Sequence, residues 1–139
     1  MALLIYIDTA ILLVLGVLHL YWAVAGVTSA AVLPSGPDGK LMFVPGKGAT
    51  VLVGVALICL AAITQANTGT FDAWVSRSLI RQATGGIGVI FLARAMGDFK
   101  YVGLTKRITN TRFARNDTFF YIPLCLFIAI ISFLILSLT

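Results

Sequence analysis

The sequence has 139 residues, of which 60% are hydrophobic and only 11% are charged, and its mean hydropathy is +1.03. This composition excludes an ordinary soluble domain, in which about 25% of residues are charged. The net charge is +5, with one histidine, no glutamate and two cysteines that form no C-x-x-C motif, so neither a metal site nor a thiol redox enzyme is expected.

Four segments approach the length of about 20 apolar residues that crosses a bilayer. They run from about residue 2 to 27, 48 to 66, 78 to 97 and 119 to 138. Inside a bilayer, each segment satisfies its backbone hydrogen bonds only as a helix. The sequence therefore predicts one all-α domain over residues 1–139, an integral membrane four-helix bundle. The first segment holds Asp8 and follows no basic residue, so we interpret it as a retained helix and not as a signal peptide.

Lysine and arginine are unevenly divided among the loops. The first loop carries two of them and the third loop five, whereas the second loop and its margin hold only Arg77 and Arg81. By the positive-inside rule, loops one and three are cytoplasmic and both termini lie outside. The cations of the third loop alternate with aromatic residues, which favours anionic lipid headgroups as partners and argues against nucleic acid. A topology signal without any ligand is the alternative.

The first loop is dense in turn-forming residues. Asp38-Gly39 stands between two apolar runs and predicts a short β-hairpin. Folded over the mouth of the bundle, such a hairpin would act as a lid; a plain connector is the alternative.

Small residues line one side of the third segment. Gly85, Gly88 and Ala95 fall on a single helical stripe. Small side chains allow another helix to approach closely, so this stripe predicts a helix-packing surface and not a dinucleotide-binding turn.

The charges expected inside the membrane lie on the first and third segments. Such groups are costly in lipid and normally face protein or water. Asp8 and His19 are eleven residues apart, within about 20° of one helix face. In the predicted orientation, Asp8 is level with Arg81, and His19 is level with Arg94 and Asp98. We therefore expect the first and third helices to be in contact.

These residues suggest a polar site near the cytoplasmic side, in which His19, Trp22, Arg94, Asp98 and Lys106 bind a lipophilic anionic ligand or a lipid. Arginine can form two parallel bonds to a carboxylate or phosphate. If the protein is an enzyme, which stays open, His19 and Asp98 are the candidates for proton transfer. Simpler interpretations are an Arg94 that snorkels to the interface and a His19 that only packs between helices. The cofactor is unknown; His19 offers a haem at most one axial ligand per chain.

Several blocks of the chain resemble the signature of a family of small bacterial four-helix membrane proteins, a domain of unknown function. The blocks are His19-Leu-Tyr-Trp22-Ala-Val-Ala-Gly26, Arg94-Ala-Met-Gly97-Asp98-Phe99-Lys-Tyr-Val-Gly103, Lys106, Phe113-Ala114, Asp117 and Tyr121-Ile-Pro-Leu-Cys125. The resemblance covers nearly the whole chain and implies a multi-pass protein of the bacterial cytoplasmic membrane. It implies no activity, but it places five polar or aromatic residues in shared blocks: His19, Trp22, Arg94, Asp98 and Asp117.

Two further families are similar mainly in size. Microsomal glutathione transferases also have four helices and a basic charge, but their motif needs a glutamate, which this chain lacks. Small multidrug exporters carry an acidic residue in the first helix, for which Asp8 could stand, but the other features have no counterpart in them.

Three classes of function remain open. The first is a ligand-binding membrane protein, which we favour. The second is a small proton-coupled transporter with Asp8 and His19 as relay groups, against which the apolar stretch at residues 10–18 counts. The third is an accessory or structural subunit, in a homo-oligomer or with a partner membrane protein, for which the apolar face at residues 128–136 could form the contact.

Overall fold

The computed structural model describes all 139 residues as four long helices without a β-sheet. The helices are α1 (Ala2–Ala25), α2 (Lys47–Ala66), α3 (Arg77–Met96) and α4 (Arg112–Leu138). The predicted all-α, four-helix architecture is confirmed. Helix α4 begins at Arg112 and not at the expected position 119. Its first two turns are polar, and a prediction based on hydropathy detects only the apolar part of a helix. The Thr111 side chain caps this helix by accepting a hydrogen bond from the Ala114 amide.

Helix α4 is not uniformly α-helical. It contains an α-helical turn (Arg112–Asn116), a π-helical turn (Asp117–Tyr121) and a long α-helix (Ile122–Leu138). The Ile122 amide bonds to the Asp117 carbonyl, five residues earlier. Pro123 follows directly and has no amide hydrogen to donate, so the wider π turn coincides with the point at which a regular helix would lose a bond.

Helices α1, α2 and α4 are long and apolar enough to cross a membrane. Their outward-facing side chains are largely apolar, for example Val14, Leu52 and Ile130. Helix α3 is as long as α2, but it contains three arginines and a glutamine. It is therefore not among the helices that are apolar enough to cross a membrane. The third predicted span therefore forms a helix, but a more polar one than the other three.

The helices form a ring in chain order, in which α1 packs on α2, α2 on α3, α3 on α4, and α4 returns to α1. The α1–α2 and α3–α4 pairs have the most extensive contacts. Helices α1 and α3 consequently lie diagonally opposite, and the expected contact between them is wrong. Arg81 does not approach Asp8 either, since it is exposed and donates to the Leu136 carbonyl of α4. The expected contact followed from charges predicted to lie at the same depth in the membrane, but a common depth does not determine which helices are neighbours.

All four helices contribute to one apolar core. Its members include Leu12, Leu57, Ile87, Phe91 and Ile128. The predicted small-residue stripe of α3 belongs to this interior and packs on α4. A Cβ atom at Gly88 would lie 2.8 Å from ring atoms of Phe133, and Ala95 is fully buried.

Helices α1 and α2 cross at a second pair of glycines. A Cβ atom at Gly16 or at Gly54 would lie 3.0 Å from the carbonyl oxygen of the other glycine. At this crossing the two backbones are therefore in contact, and any side chain would push them apart.

Two loops form one end of the bundle, residues 26–46 and residues 97–111, which we call the basic end. The opposite, terminal end carries both chain termini and residues 67–76. The predicted hairpin is confirmed at the basic end by a bridge between Ser35 and Leu41, with Gly39 at φ +76°. Asn116 and Tyr121 of α4 both donate to the Ala31 carbonyl, at 3.0 and 3.1 Å, and fasten this loop to the bundle.

Candidate functional site

An apolar pocket of about 400 Å³ opens at the basic end. Helix α1, the start of α2 and the first loop enclose it. Its polar lining residues are His19, Thr28, Lys47 and Thr50, and the rest of the wall is mainly apolar, with Trp22, Val27, Val32, Leu33, Phe43, Val44 and Val53. Because Phe43 and Val44 follow the hairpin directly, the position of the hairpin controls one wall of this pocket.

His19 lines this pocket, and one of its ring nitrogens bonds to its own helix. Its Nδ1 lies 2.7 Å from the Leu15 carbonyl oxygen, which can only accept, so Nδ1 carries the proton of this bond. In the neutral ring, Nε2 is then a free acceptor, and it has no hydrogen-bond partner within the protein. The ring packs edge-on against Trp22, with centroids 5.1 Å apart. His19 and Trp22 therefore belong to one site, as the shared helix face predicts.

The positive charge at this pocket comes from Lys47, which is exposed and begins α2. The N-cap residue is Gly46, which has no side chain to bind the first amides of the helix. A lysine and the N-terminus of a 20-residue helix together favour an anion. Lys47, one of the two cations of the first loop, is not among the site residues that the sequence predicts. Its place directly after Pro45-Gly46, at the start of an apolar run, is the pattern that points to a helix N-terminus.

Arg94 and Lys106 lie apart from this pocket and converge on Asp117, in the π turn of α4. The Asp117 carboxylate is fully buried and accepts from Gly103 N at 2.7 Å, Lys106 Nζ at 3.3 Å and Arg94 Nη2 at 3.4 Å. The Lys106 side chain is only 5% exposed and also donates to Thr118 Oγ1 at 2.7 Å. These contacts join the third loop to α3 and α4.

Arg94 points inward, but its partner is Asp117 on α4 and not His19. Its other terminal nitrogen, Nη1, is buried and has no hydrogen-bond partner. Arg94 forms an ion pair with a buried carboxylate, which simple snorkelling does not include, while 38% of its side chain remains exposed. The cluster holds two cations and one anion, so it keeps one positive charge.

Asp98 organises the third loop. Its Oδ1 accepts from the backbone amides of Lys100, Tyr101 and Val102, at 3.0, 2.7 and 2.9 Å. Slight desolvation raises the pKa of this carboxyl, but the three amide donors outweigh it and hold the pKa below its ordinary value of 3.8. Asp98 is exposed and makes no hydrogen bond to Arg94 or His19.

Two glycines make this turn possible. Gly97 and Gly103 have φ angles of +85° and +88°, and a Cβ atom at Gly97 would lie 1.7 Å from the Val102 carbonyl oxygen. The backbone segments on the two sides of the turn are thus in direct contact. The R-x-x-G-D-F block, extended to Gly103, encodes a compact loop fastened to Asp117.

The five predicted site residues thus fall into three places. His19 and Trp22 line the pocket, Arg94 and Lys106 bind Asp117, and Asp98 closes the loop between them. Asp117 carries the resemblance to the family signature but was not among the five, because a carboxylate just outside an apolar segment gives no sign that it will be buried.

Comparison with known families agrees with the predicted resemblance. The family model described as "Protein of unknown function (DUF3995)" matches residues 12–132, which include parts of all four helices and the three loops between them. No curated protein and no solved structure matches the chain. Because the matched region covers most of the sequence, the chain belongs to the DUF3995 family of proteins of unknown function.

Proposed function

We propose that this chain is an integral membrane protein that binds a lipophilic molecule with an anionic head in the pocket beside His19. The observation that carries the proposal is the composition of the pocket wall, which is apolar except for an imidazole, a lysine and two hydroxyl groups. Ligand pockets of this kind combine apolar walls with a few polar groups that orient the ligand.

Each part of the pocket has a complementary role in this proposal. The apolar wall covers the hydrocarbon part of the ligand, while Lys47 and the N-terminus of α2 attract its anionic head. His19 Nε2 accepts a hydrogen bond from a hydroxyl group of a ligand that carries one. Arg94, Asp98 and Lys106 act indirectly, because they hold the third loop against the start of α4, where Asn116 and Tyr121 secure the first loop.

The membrane setting is also part of the proposal. We place the protein in the bacterial cytoplasmic membrane with the basic end in the cytoplasm, in agreement with the distribution of its cations. Four exposed cations of the third loop and of the first turn of α4 would contact anionic lipid headgroups: Lys100, Arg107, Arg112 and Arg115.

Tryptophan fluorescence can test the pocket directly. The chain has two tryptophans, and Trp74 is 87% exposed at the terminal end, so a Trp74→Phe background leaves only Trp22. We expect dibromostearate to quench Trp22 saturably in detergent, and unbrominated oleate to reverse the quenching by competition. The methyl ester of oleate should compete more weakly, because it lacks the charge that Lys47 attracts.

Lys47→Ala should weaken oleate binding several-fold, equivalent to about 1 kcal/mol. The matched control is Lys40→Ala, which removes an exposed lysine of the same loop region outside the pocket. Quenching that rises linearly without saturation, or that is identical for oleate and its methyl ester, would contradict the proposal.

A further inference from the structure

Buried polar side chains from all four helices form a layer nearer the terminal end, which we call the polar layer. Its members are at most 1% exposed: Asp8 of α1, Thr64 of α2, Asn67 just after α2, Thr84 of α3 and Ser132 of α4. A fully buried carboxylate without an ion-pair partner needs compensation, because the energetic cost of an isolated charge in an apolar medium is large.

The hydrogen bonds of Asp8 leave this requirement unmet. Thr64 Oγ1 and Ser132 Oγ approach the same oxygen, Asp8 Oδ2, at 3.5 and 3.4 Å. Both distances exceed the length of about 2.7–2.8 Å that is usual for hydroxyl hydrogen bonds. The second oxygen, Asp8 Oδ1, is buried and has no partner.

Asn67 shows the same shortage of donors. Its amide nitrogen is fully used, since it donates to the carbonyls of Ile63 and Thr64 and to Thr84 Oγ1. The Thr84 hydroxyl in turn donates to the Ile80 carbonyl. Asn67 Oδ1 is therefore a second buried acceptor without a donor. The polar layer contains more acceptors than donors.

No basic side chain makes up this shortage. Asp8 takes part in no ion pair. Arg77 pairs with Asp72 and donates to the backbone carbonyl of Asn67 but not to its side chain, and Arg81 donates to the Leu136 carbonyl. An ionised Asp8 would thus be in hydrogen-bond contact only with the neutral hydroxyl groups of Thr64 and Ser132.

We propose that the polar layer binds one Na⁺ ion, with Asp8 as the charge-balancing ligand and the hydroxyl oxygens of Thr64 and Ser132 as further ligands. Hard cations bind carboxylate, hydroxyl and amide oxygens, which are the groups present here. Oxygens that share a cation stand farther apart than hydrogen-bonded oxygens, as the distances at Asp8 Oδ2 do. Asn67 Oδ1 is the remaining acceptor of the layer.

This site is separate from the His19 pocket. The α1 residues between them, among them Leu12 and Gly16, are apolar and packed in the core or against α2. The ion is therefore held near the terminal end, between α1, α2 and α4, and does not reach the pocket. It joins the helices to one another, and its loss should loosen the terminal end.

Thermal unfolding in neutral phosphatidylcholine nanodiscs tests the proposal. NaCl is raised at constant ionic strength against choline chloride, at mildly alkaline pH. We expect the Tm of the wild-type protein to rise saturably with Na⁺, because a ligand that binds only the folded state stabilises it. Ser132→Ala should raise the half-saturating Na⁺ concentration by about tenfold or more.

Asp8→Asn keeps the shape of the side chain and removes its charge, so it should abolish the response to Na⁺. The matched control, Asp72→Asn, neutralises an exposed carboxylate of the terminal end and should leave the response intact. If Asp8→Asn does not fold, binding of radioactive sodium to wild-type protein and to Ser132→Ala decides the matter. A wild-type Tm that is independent of Na⁺, or a wild type that retains no sodium, would overturn the proposal.

Discussion

Asp117 is the single residue on which most of the basic end depends. It receives hydrogen bonds from two cations and one backbone amide, and these donors come from α3 and from two points of the third loop. A buried ion pair adds little net stability compared with apolar packing, but the removal of one partner leaves a charge without compensation. Without Asp117, the charge of Lys106 would carry the largest energetic cost, because this side chain is only 5% exposed.

We expect Asp117→Ala to lower the free energy of unfolding by about 3–5 kcal/mol. The measurement is an equilibrium denaturation in detergent. Asp38→Ala is the matched control, because it breaks an exposed pair with Lys40 and should change stability by less than about 1 kcal/mol. Addition of Lys106→Met to Asp117→Ala should recover part of the loss, since the more buried of the two uncompensated cations is then gone, while Arg94 is 38% exposed. Equal effects of Asp117→Ala and Asp38→Ala would show that the cluster contributes no stability.

At the residue scale, the sequence was informative where the information is local. His19 and Trp22 are three residues apart on one helix, and their common site follows from helical geometry. The inward direction of Arg94 follows from the cost of charge in lipid. Its partner does not, because Asp117 lies 23 residues away on another helix, and such pairings depend on tertiary packing. The Asp98 carboxylate accepts hydrogen bonds from three loop amides. Sequence spacing alone does not distinguish this structural role from a role in ligand binding.

At the element scale, glycines set the distances between helices. Gly88 faces the Phe133 ring of α4, whereas nothing lies within 4 Å of a Cβ atom at Gly86, two residues earlier on the same helix. The two positions have the same helical environment along α3 but opposite packing environments. They therefore separate the effect of a close helix contact from the general helix preference of alanine over glycine.

We expect Gly88→Ala to destabilise the bundle by about 1–3 kcal/mol, the usual cost of an added methyl group in a well-packed interior. Gly86→Ala should be neutral or stabilising by up to about 1 kcal/mol, because alanine has the higher helix propensity. Thermal unfolding of the two variants beside the wild type checks both statements. A Gly88→Ala variant as stable as Gly86→Ala would mean that Phe133 moves aside without cost.

The elements themselves were predictable because long apolar runs in a bilayer allow only helices. Three details of the fold could not be predicted from the sequence, each for a physical reason. Gly16 and Gly54 are single glycines on different helices, and only the fold brings them together. The first turns of α4 have a polar sequence, which hydropathy does not identify as helical. The ring order of the helices, which separates α1 from α3, depends on packing between surfaces and not on the depth of individual charges.

At the scale of the whole molecule, the two ends of the bundle differ in charge and in chemistry. The basic end holds the His19 pocket, the Asp117 cluster and most of the lysines and arginines, while the terminal end holds the polar layer and little excess charge. The charge asymmetry is the property that would orient such a protein during insertion. The predicted topology therefore places the His19 pocket on the cytoplasmic side and the polar layer nearer the outer side.

Cysteine labelling tests that topology. Both native cysteines are free, so a chain with Cys59→Ser and Cys125→Ser accepts single new cysteines without interference. Ala73→Cys in the second loop should react with a membrane-impermeant maleimide in intact cells, because few cations flank that loop and the positive-inside rule predicts that it faces outward. Lys40→Cys and Thr109→Cys, in the first and third loops, should react only after lysis. All three positions are exposed in the folded chain, so a difference in labelling reports the side of the membrane and not burial. Labelling of Thr109→Cys in intact cells, with Ala73→Cys protected, would contradict the prediction and would open the His19 pocket to the outside.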